Sequence, residues 1–143
     1  MSDVVIEMVL KLIISLLLGA LVGLEREWKR KPAGLRTHML VSMGACLFTI
    51  TSISGFSLDP ARVAAGIVTG IGFIGAGTIM GARMHITGVT TAATLWIVAA
   101  IGLSIGAGMY IPAVAASIMV FLVLQLGKVE RSLEHLHEER HMR

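Results

Sequence analysis

The stretch from Gly66 to Gly81 places the strongest constraint on how this chain can fold. Glycine supplies six of its sixteen residues, and none of the sixteen is charged. In water, each glycine costs a helix about 1 kcal/mol relative to alanine. In a lipid bilayer the backbone must bond to itself, so an apolar segment becomes helical, and glycine lets neighbouring helices approach closely. We therefore predict that this stretch is the central helix of a compact bundle inside a membrane.

Small residues fall on both sides of this predicted helix. At 100° per residue, four glycines lie within about 60° of one another on one face, namely Gly66, Gly70, Gly77 and Gly81. Gly72 and Gly75 lie on the opposite side. Such faces favour close contact with other membrane helices. The predicted helix-packing positions are Gly66, Gly70, Gly72, Gly75, Gly77 and Gly81, together with Gly19 and Gly23 in the first apolar run.

The composition also indicates a membrane protein. The chain has 143 residues, of which 55% are hydrophobic and 15% charged, and its mean hydropathy is +0.84. A globule of this size buries about 60–70% of its surface, which is too little to hide so much apolar area from water. The single cysteine, Cys46, excludes an internal disulfide. The net charge of +3 comes from basic residues at the ends of apolar runs, where they set membrane topology, so we expect no nucleic-acid partner.

Five apolar runs predict an all-α, polytopic bundle of five transmembrane helices in the lipid bilayer. Each run is close to the roughly 20 residues that span a bilayer. The glycine-rich run is the third of the five, which cover about residues 4–24, 37–56, 61–80, 89–105 and 110–126. We assign residues 1–126 to one transmembrane domain and residues 127–143 to a short charged cytoplasmic tail. The break at Gly106 to Met109 leaves open whether the chain reverses there or only kinks.

Positive charges predict the orientation of the bundle. With the N-terminus outside, the cytoplasmic segments hold ten lysines and arginines, the outer side holds Arg62 alone, and Lys11 lies inside the first span. Such an imbalance is typical of the positive-inside rule. We therefore expect the N-terminus outside and the C-terminus in the cytoplasm.

The connection from Gly23 to His38 is the most unusual polar segment. Glu25 directly follows an apolar helix, and Arg36 opens the next one. The carboxylate could pair with Arg36 or with Arg83 and close the bundle at its cytoplasmic face. The alternative is that these residues are ordinary flanking charges, and the spacing alone does not separate the two interpretations.

Hydroxyl groups line one face of the second span and one face of the fourth. The faces consist of His38, Ser42, Thr49 and Ser52 on one helix and of Thr87, Thr90, Thr91 and Thr94 on the other. These groups either border a polar pocket beside the glycine-rich helix or bond back to carbonyls and hold the helices together.

Candidate metal ligands and catalytic groups are sparse. Magnesium prefers oxygen ligands, usually one or two carboxylates, and at bilayer depth the chain offers Glu7 and, at the edge, Glu25. In the tail, His137 and His141 share a helical spacing with Glu134 but have no evident supporting partners. Glu7, Glu25, His137 and His141 are thus weak metal candidates. We find no nucleophile–base set, phosphate loop or zinc-hydrolase motif, so we predict no enzyme and no cofactor, with magnesium kept open as a ligand.

Four motifs follow one another between residues 17 and 126, namely GLEREW, AGLRTH, GIGFIGAGTIM and GVTTAATLWIVAAIGLSIGAGMY. Together they resemble the MgtC/SapB family of bacterial inner-membrane proteins. The resemblance implies a five-span protein of the cytoplasmic membrane. It gives weight to a functional polar cluster made of Glu25, Arg26, Glu27, Arg36, Thr37, Thr90 and Thr91.

The resemblance also implies a role in magnesium homeostasis and stress adaptation. We favour a non-catalytic regulator that associates through its glycine faces, with itself as a homo-oligomer such as a dimer and with other membrane proteins such as ATPases. The alternative is a small transporter or channel for magnesium or another cation. Longer relatives carry a soluble C-terminal domain, whereas this chain ends 17 residues after the last predicted span, so we expect the short form without that domain.

Overall fold

Five helices and one short hairpin make up the structure, a computed structural model that describes residues 2–55, 59–82 and 85–141, with residues 60, 80–82, 85 and 128–141 described by secondary structure alone. The elements are α1 (Ser2–Trp28), α2 (Leu35–Gly55), α3 (Pro60–Ala76), β1 (Met80–Ala82), β2 (His85–Thr87), α4 (Val89–Gly106) and α5 (Tyr110–His141). The two strands pair in antiparallel register, with Met80 opposite Thr87. The prediction of an all-α bundle is confirmed, with this hairpin as the one β element in the described ranges.

Four helices are long and apolar enough to cross a membrane. They are α1, α2, α4 and the Tyr110–Gly127 part of α5, with mean hydropathies between 1.3 and 2.4. The third helix, α3, is also apolar but has 17 residues, or about 26 Å at 1.5 Å per residue. It ends before the predicted residue 80 because the amides of Thr78 and Ile79 bond in a turn to the carbonyls of Gly75 and Ala76.

Consecutive helices run in opposite directions along the bundle. The first pair shows this clearly, because Gly23 near the end of α1 lies against Leu35 at the start of α2. Further from this end of the pair, the Ser42 hydroxyl of α2 donates to the Ser15 carbonyl of α1 at 2.7 Å. The two connections from α1 to α2 and from α3 to α4, together with the end of the membrane part of α5, therefore meet at one end of the bundle. We call it the basic end, since it carries Arg26, Lys29, Arg30, Lys31 and Arg36.

The break at Gly106 to Met109 is a true reversal of the chain. Close to the break, Ile105 of α4 packs in one cluster with Ala113 of α5. Further from it, Val98 packs with Leu124. Residues of α4 and α5 at increasing distance from the break thus remain in contact with each other. This is expected of two antiparallel helices and not of one kinked helix.

The centre of the bundle is α4, which packs against each of the other four helices. Its close approach to α2 depends on two glycines. A Cβ at Gly102 would overlap the Ser42 carbonyl oxygen, and one at Gly106 would lie 2.6 Å from the Thr49 Cβ. On the α1 side of α2, Gly19 of α1 makes a similar contact with α2, since its Cβ would lie 2.9 Å from that of Ser42. Small residues thus hold α1, α2 and α4 together.

The glycine-rich helix α3 does not occupy the centre expected of it, and packs mainly against α2 and α4. Three of its glycines border open space, because a Cβ would meet nothing within 4 Å at Gly66, Gly70 and Gly72. At Gly75 a Cβ would meet that of Ala92 at 3.5 Å, and at Gly77 it would meet only carbonyls of α3 itself. The surroundings of Gly81 lie outside the described residues. The physical reason is that α4 carries large apolar side chains to bury, among them Leu95, Val98 and Ile101, whereas glycines offer no side chain to bury.

Candidate functional site

The last turns of α1 carry two buried charges. Glu25 and Arg26 are each 3% exposed, and burying an unpaired charge costs several kcal/mol. Glu25 forms an ion pair with the ammonium of Lys29, the residue that directly follows α1. Its Oε2 lies 3.6 Å from Arg26 Nη1. Neither Glu25 oxygen accepts a hydrogen bond of regular geometry from the described residues. Ion pairing therefore compensates the burial of this carboxylate.

A chain of polar contacts links Arg26 to the first turns of α4 and α2. Arg26 Nη2 donates to Thr91 Oγ1 at 3.3 Å. The Thr94 hydroxyl donates to the Thr91 carbonyl oxygen at 2.8 Å and lies 3.1 Å from His38 Nε2. His38 Nδ1 lies 2.8 Å from the Gly34 carbonyl oxygen and carries a proton, because a carbonyl oxygen can only accept. Three helices are thereby joined at the basic end.

Lys29 connects the same cluster to α5. Its Nζ donates to the Leu124 carbonyl oxygen at 2.6 Å while its charge is paired with Glu25. This role was missed in the sequence, where the Glu25–Lys29 spacing of four residues along a helix is a signal for such a pair. The partner expected for Glu25 was Arg36 or Arg83. Arg36 is exposed instead, and Arg83 lies outside the described residues.

The remaining members of the predicted polar cluster lie apart from the buried charges. Glu27 is exposed, and its Oε2 accepts a hydrogen bond from the Leu35 amide at 3.0 Å. A carboxylate at this position stabilises the N-terminus of α2. Arg36 is exposed and Thr37 is partly buried in the following turn. The structure thus brings Glu25, Arg26 and Thr91 together. Glu27, Arg36 and Thr37 lie outside this group, in and around the connection between α1 and α2.

The hydroxyl faces of α2 and α4 meet inside the bundle. The Ser42 hydroxyl bonds to the Ser15 carbonyl of α1, and the Thr49 hydroxyl bonds to the Ala45 carbonyl of its own helix at 2.8 Å. Thr94 bonds in the same way within α4. All of these hydroxyls are buried. For Ser42, Thr49 and Thr94 the geometry favours helix packing over the lining of a polar pocket. The other three members of the α4 face border a cavity instead, namely Thr87, Thr90 and Thr91.

A cavity of about 720 Å³, the basic cavity, opens beside the start of α4. Three cationic side chains, those of Arg26, Lys29 and Lys31, border it together with Thr90 and Thr91. No acidic side chain is among its described lining residues. Apolar side chains complete the rim at Ile86, Val89, Val123, Leu124 and Leu126. Thr90 is exposed at this rim, whereas Thr91 is buried behind it.

Beside this cavity, α4 begins without a capping side chain. Its N-cap is Gly88, at φ +90°, where a Cβ would overlap the Thr78 carbonyl oxygen. Both the backbone angle and the space therefore require glycine. The first amides of a helix have no acceptor within the helix, and those of α4 belong to residues that border the basic cavity. The helix also contributes partial positive charge at this point.

A second, apolar cavity of about 550 Å³ lies between α2 and α3. We call it the glycine groove, because Gly44, Gly66 and Gly70 form part of its wall. A Cβ at any of these three would meet nothing within 4 Å. Phe48 and Ile74 stand at its edges and are largely exposed. The groove is therefore an open, apolar surface with three glycines in its wall.

The four candidate metal ligands are dispersed. Glu7 lies at the opposite end of the bundle, where its Oε1 pairs with Lys11 Nζ at 2.8 Å. Glu25 faces two cations, as described above. The side chains of His137 and His141 lie outside the described part of the chain. Among the side chains that are described, no group of three or more His, Cys, Asp or Glu could hold a metal ion.

Known bacterial proteins are similar to this chain over most of its length. It is 46% identical over 129 residues to the "Putative magnesium transporter YhiD" of Escherichia coli K12. The matched region covers 84% of this chain and 60% of that protein. It is 48% identical over 112 residues to protein MgtC of Salmonella typhimurium LT2, which covers 78% and 48% of the two chains. An uncharacterized protein of Haemophilus influenzae is 37% identical over 141 residues, or 91% of this chain and 59% of the relative.

These relatives are longer proteins, and the chain spans about half to three fifths of their length. No solved structure is significantly similar to it. The MgtC family, in contrast, matches residues 12–132, which include all four motifs and every helix of the bundle except the ends of α1 and α5. Because its helices are long and apolar enough to cross a membrane and the family matches most of its length, the chain is a multi-pass membrane protein that belongs to the MgtC family.

Proposed function

We propose that this protein is a non-catalytic regulator in magnesium homeostasis and stress adaptation, and that it acts by associating with other membrane proteins inside the bacterial cytoplasmic membrane. Family membership and the name of the Escherichia coli relative connect it to magnesium. The observation that carries the proposal is the glycine groove, whose small residues are open to the lipid in the single chain. ATPases of the same membrane are the class of partner implied by the family resemblance.

A transmembrane helix is the natural occupant of such a groove. Association between helices in lipid depends on close packing, which small residues permit. The glycines of α1 and α4 already serve this purpose within the bundle, at Gly19, Gly23, Gly102 and Gly106. Gly44, Gly66 and Gly70 have no such contact in the single chain. A helix lying against them would come from a second copy of this chain or from a larger partner.

The distribution of charge supports the proposed orientation. Basic residues concentrate at the basic end, whereas Lys11 and Arg62 lie towards the other end among the described side chains. Lysine and arginine accumulate on the cytoplasmic side of bacterial membranes. We therefore place the basic end in the cytoplasm and the N-terminus outside.

The test uses two substitutions on the same helix. Gly70→Leu fills the glycine groove, and Gly72→Leu adds the same side chain at an equally open position outside the groove. Self-association is measured by energy transfer between labelled copies in membranes, and function by growth of a deletion strain at low magnesium. We expect Gly70→Leu to weaken association about fivefold and to reduce growth, with Gly72→Leu close to wild type. Equal behaviour of the two variants, at equal abundance in the membrane, would contradict the proposal.

Transport of magnesium or another cation is the second candidate. The name of the Escherichia coli relative favours it, and Glu25 supplies a buried carboxylate at one end of the bundle. Its oxygens already face Lys29 and Arg26, which disfavours a bound cation. Purified protein in liposomes decides the matter: magnesium flux that is lost in a folded Glu25→Ala variant would replace the regulator, and absence of flux would remove the transporter.

A further inference from the structure

The basic cavity concentrates positive charge that the bundle does not neutralise. Three cations border it, and Glu25 behind it pairs with only two of them, Arg26 and Lys29. Lys31 is exposed at the rim and has no acidic partner among the described side chains. Like charges held together in this way raise the local concentration of anions.

Arg26 is the buried part of this arrangement. It is 3% exposed and borders the cavity. Its Nη2 bonds to Thr91, but its Nε has no hydrogen-bond partner among the described residues. A buried donor without an acceptor costs about 1–3 kcal/mol, and a guanidinium presents its donors in a fork that matches the oxygens of a phosphate. An oxyanion in the cavity would supply the missing acceptor.

The start of α4 is a second, independent source of donors at the same place. Gly88 leaves the helix uncapped, and the residues of its first turn, Val89, Thr90 and Thr91, border the cavity. Free amides and the helix dipole together make a helix N-terminus suited to phosphate. The exposed Thr90 side chain adds a hydroxyl to the same rim.

We propose that the basic cavity binds a phosphate group, carried either by an anionic phospholipid or by free phosphate. The Arg26 guanidinium and the first amides of α4 hold the phosphate oxygens, and Lys29 and Lys31 attract the anion. Val123 and Leu126, apolar and largely exposed at the rim, provide a surface for an acyl chain if the source is a lipid. This site lies away from the glycine groove, so the inference is independent of the proposed regulatory association.

Binding is measured on the full chain in lipid nanodiscs at fixed ionic strength, because salt screens such contacts. In one arm, inorganic phosphate is titrated into phosphatidylcholine nanodiscs and the shift in Tm is followed. In the other, phosphatidylglycerol competes with phosphatidylcholine, and the lipid retained by each protein is counted by native mass spectrometry. A phosphate-dependent rise in Tm assigns free phosphate. Preferential retention of phosphatidylglycerol assigns the lipid.

Matched variants separate a built site from general attraction to positive charge. Lys31→Gln removes an exposed charge at the cavity, and Arg36→Gln removes an exposed charge outside its lining. We expect Lys31→Gln to weaken binding about fivefold and Arg36→Gln to leave it unchanged. Thr90→Asp places a carboxylate at the start of α4, which stabilises a helix but repels an anion. It should abolish binding without lowering the Tm of the anion-free protein.

Three results would overturn the inference. The first is that neither phosphate nor phosphatidylglycerol binds in preference to phosphatidylcholine. The second is that Lys31→Gln and Arg36→Gln weaken binding equally, which would indicate a diffuse charge effect. The third is that Thr90→Asp binds as wild type does, since the anion would then lie elsewhere than at the start of α4.

Discussion

Arg26 and Thr91 are 65 residues apart in the sequence and are joined by a hydrogen bond of 3.3 Å from the Arg26 Nη2 to the Thr91 hydroxyl. The bond closes the end of α1 onto the start of α4. It therefore brings two of the four family motifs, GLEREW and GVTTAATLWIVAAIGLSIGAGMY, into direct contact. Both side chains are almost fully buried, so the contact is part of the interior of the bundle and not of its surface.

Removing the acceptor of this bond should destabilise the protein. Thr91→Val keeps the size of the side chain and leaves one more donor of Arg26 buried without a partner. We expect a loss of about 1–3 kcal/mol in the free energy of unfolding, measured by denaturation in detergent. Thr90→Val is the control, because Thr90 is exposed and such changes stay within about 0.5 kcal/mol. Equal losses would mean that the bond contributes nothing.

A methyl group at Gly102 should separate α2 from α4. The added Cβ would overlap the Ser42 carbonyl oxygen, which belongs to backbone and cannot rotate away. Overpacking of this kind costs about 1–3 kcal/mol, so Gly102→Ala should lower the Tm. At Gly72 the same change meets open space, and Gly72→Ala should be neutral or slightly stabilising because alanine favours a helix. A Gly102→Ala variant as stable as Gly72→Ala would show that the contact is not limiting.

The buried ion pairs of Glu25 predict a non-additive response. Glu25→Gln leaves Lys29 and Arg26 without their counter-charge, and breaking a buried pair from one side costs about 3–5 kcal/mol. Adding Lys29→Met removes one of the stranded charges. We therefore expect the double variant to lose less stability than the sum of the single variants. Losses that simply add, measured by the same denaturation series, would show that the two side chains are not coupled.

Gly88 should tolerate substitution less well than Gly108, although both have positive φ angles. Alanine is strained at both positions, at a cost of about 1 kcal/mol or more. At Gly88 a Cβ also overlaps the Thr78 carbonyl oxygen, whereas at Gly108 it meets nothing within 4 Å. Gly88→Ala should therefore lower the Tm by more than Gly108→Ala. Equal shifts would assign the whole effect to backbone strain.

The helices follow from local sequence, and this part of the fold was predictable. The reversal at Gly106 to Met109 was not, since the sequence left open whether the chain turns back there or only kinks. Apolar runs near the length of a bilayer gave four of the helices directly, and the charged connection after α1 marked the first turn. The position of α3 was not predictable in the same way. Glycine spacing shows that another helix can approach closely, but it does not say which helix, or whether that helix belongs to the same chain. The open Gly66 and Gly70 illustrate this limit.

In the candidate site, too, the local contacts could be predicted from the sequence and the contacts between helices could not. The pairing of Glu25 with Lys29 is local and could have been found from their spacing of four residues. The contact of Arg26 with Thr91, and of His38 with Thr94, requires the relative placement of three helices. The polar faces of the second and fourth spans marked His38, Thr91 and Thr94, and the family resemblance marked Arg26. The distances between them arise only from tertiary packing.

The contact of Lys29 is made with a helix that is longer than a membrane span. This helix continues without interruption from Tyr110 to His141, and its 32 residues measure about 48 Å, well beyond the roughly 30 Å of hydrocarbon. Lys29 donates a hydrogen bond to its backbone at Leu124 and is paired with Glu25 at the same time. No loop separates Leu124 from the end of the helix at His141, so Lys29 links the buried carboxylate of Glu25 to the same continuous helix that extends beyond the span.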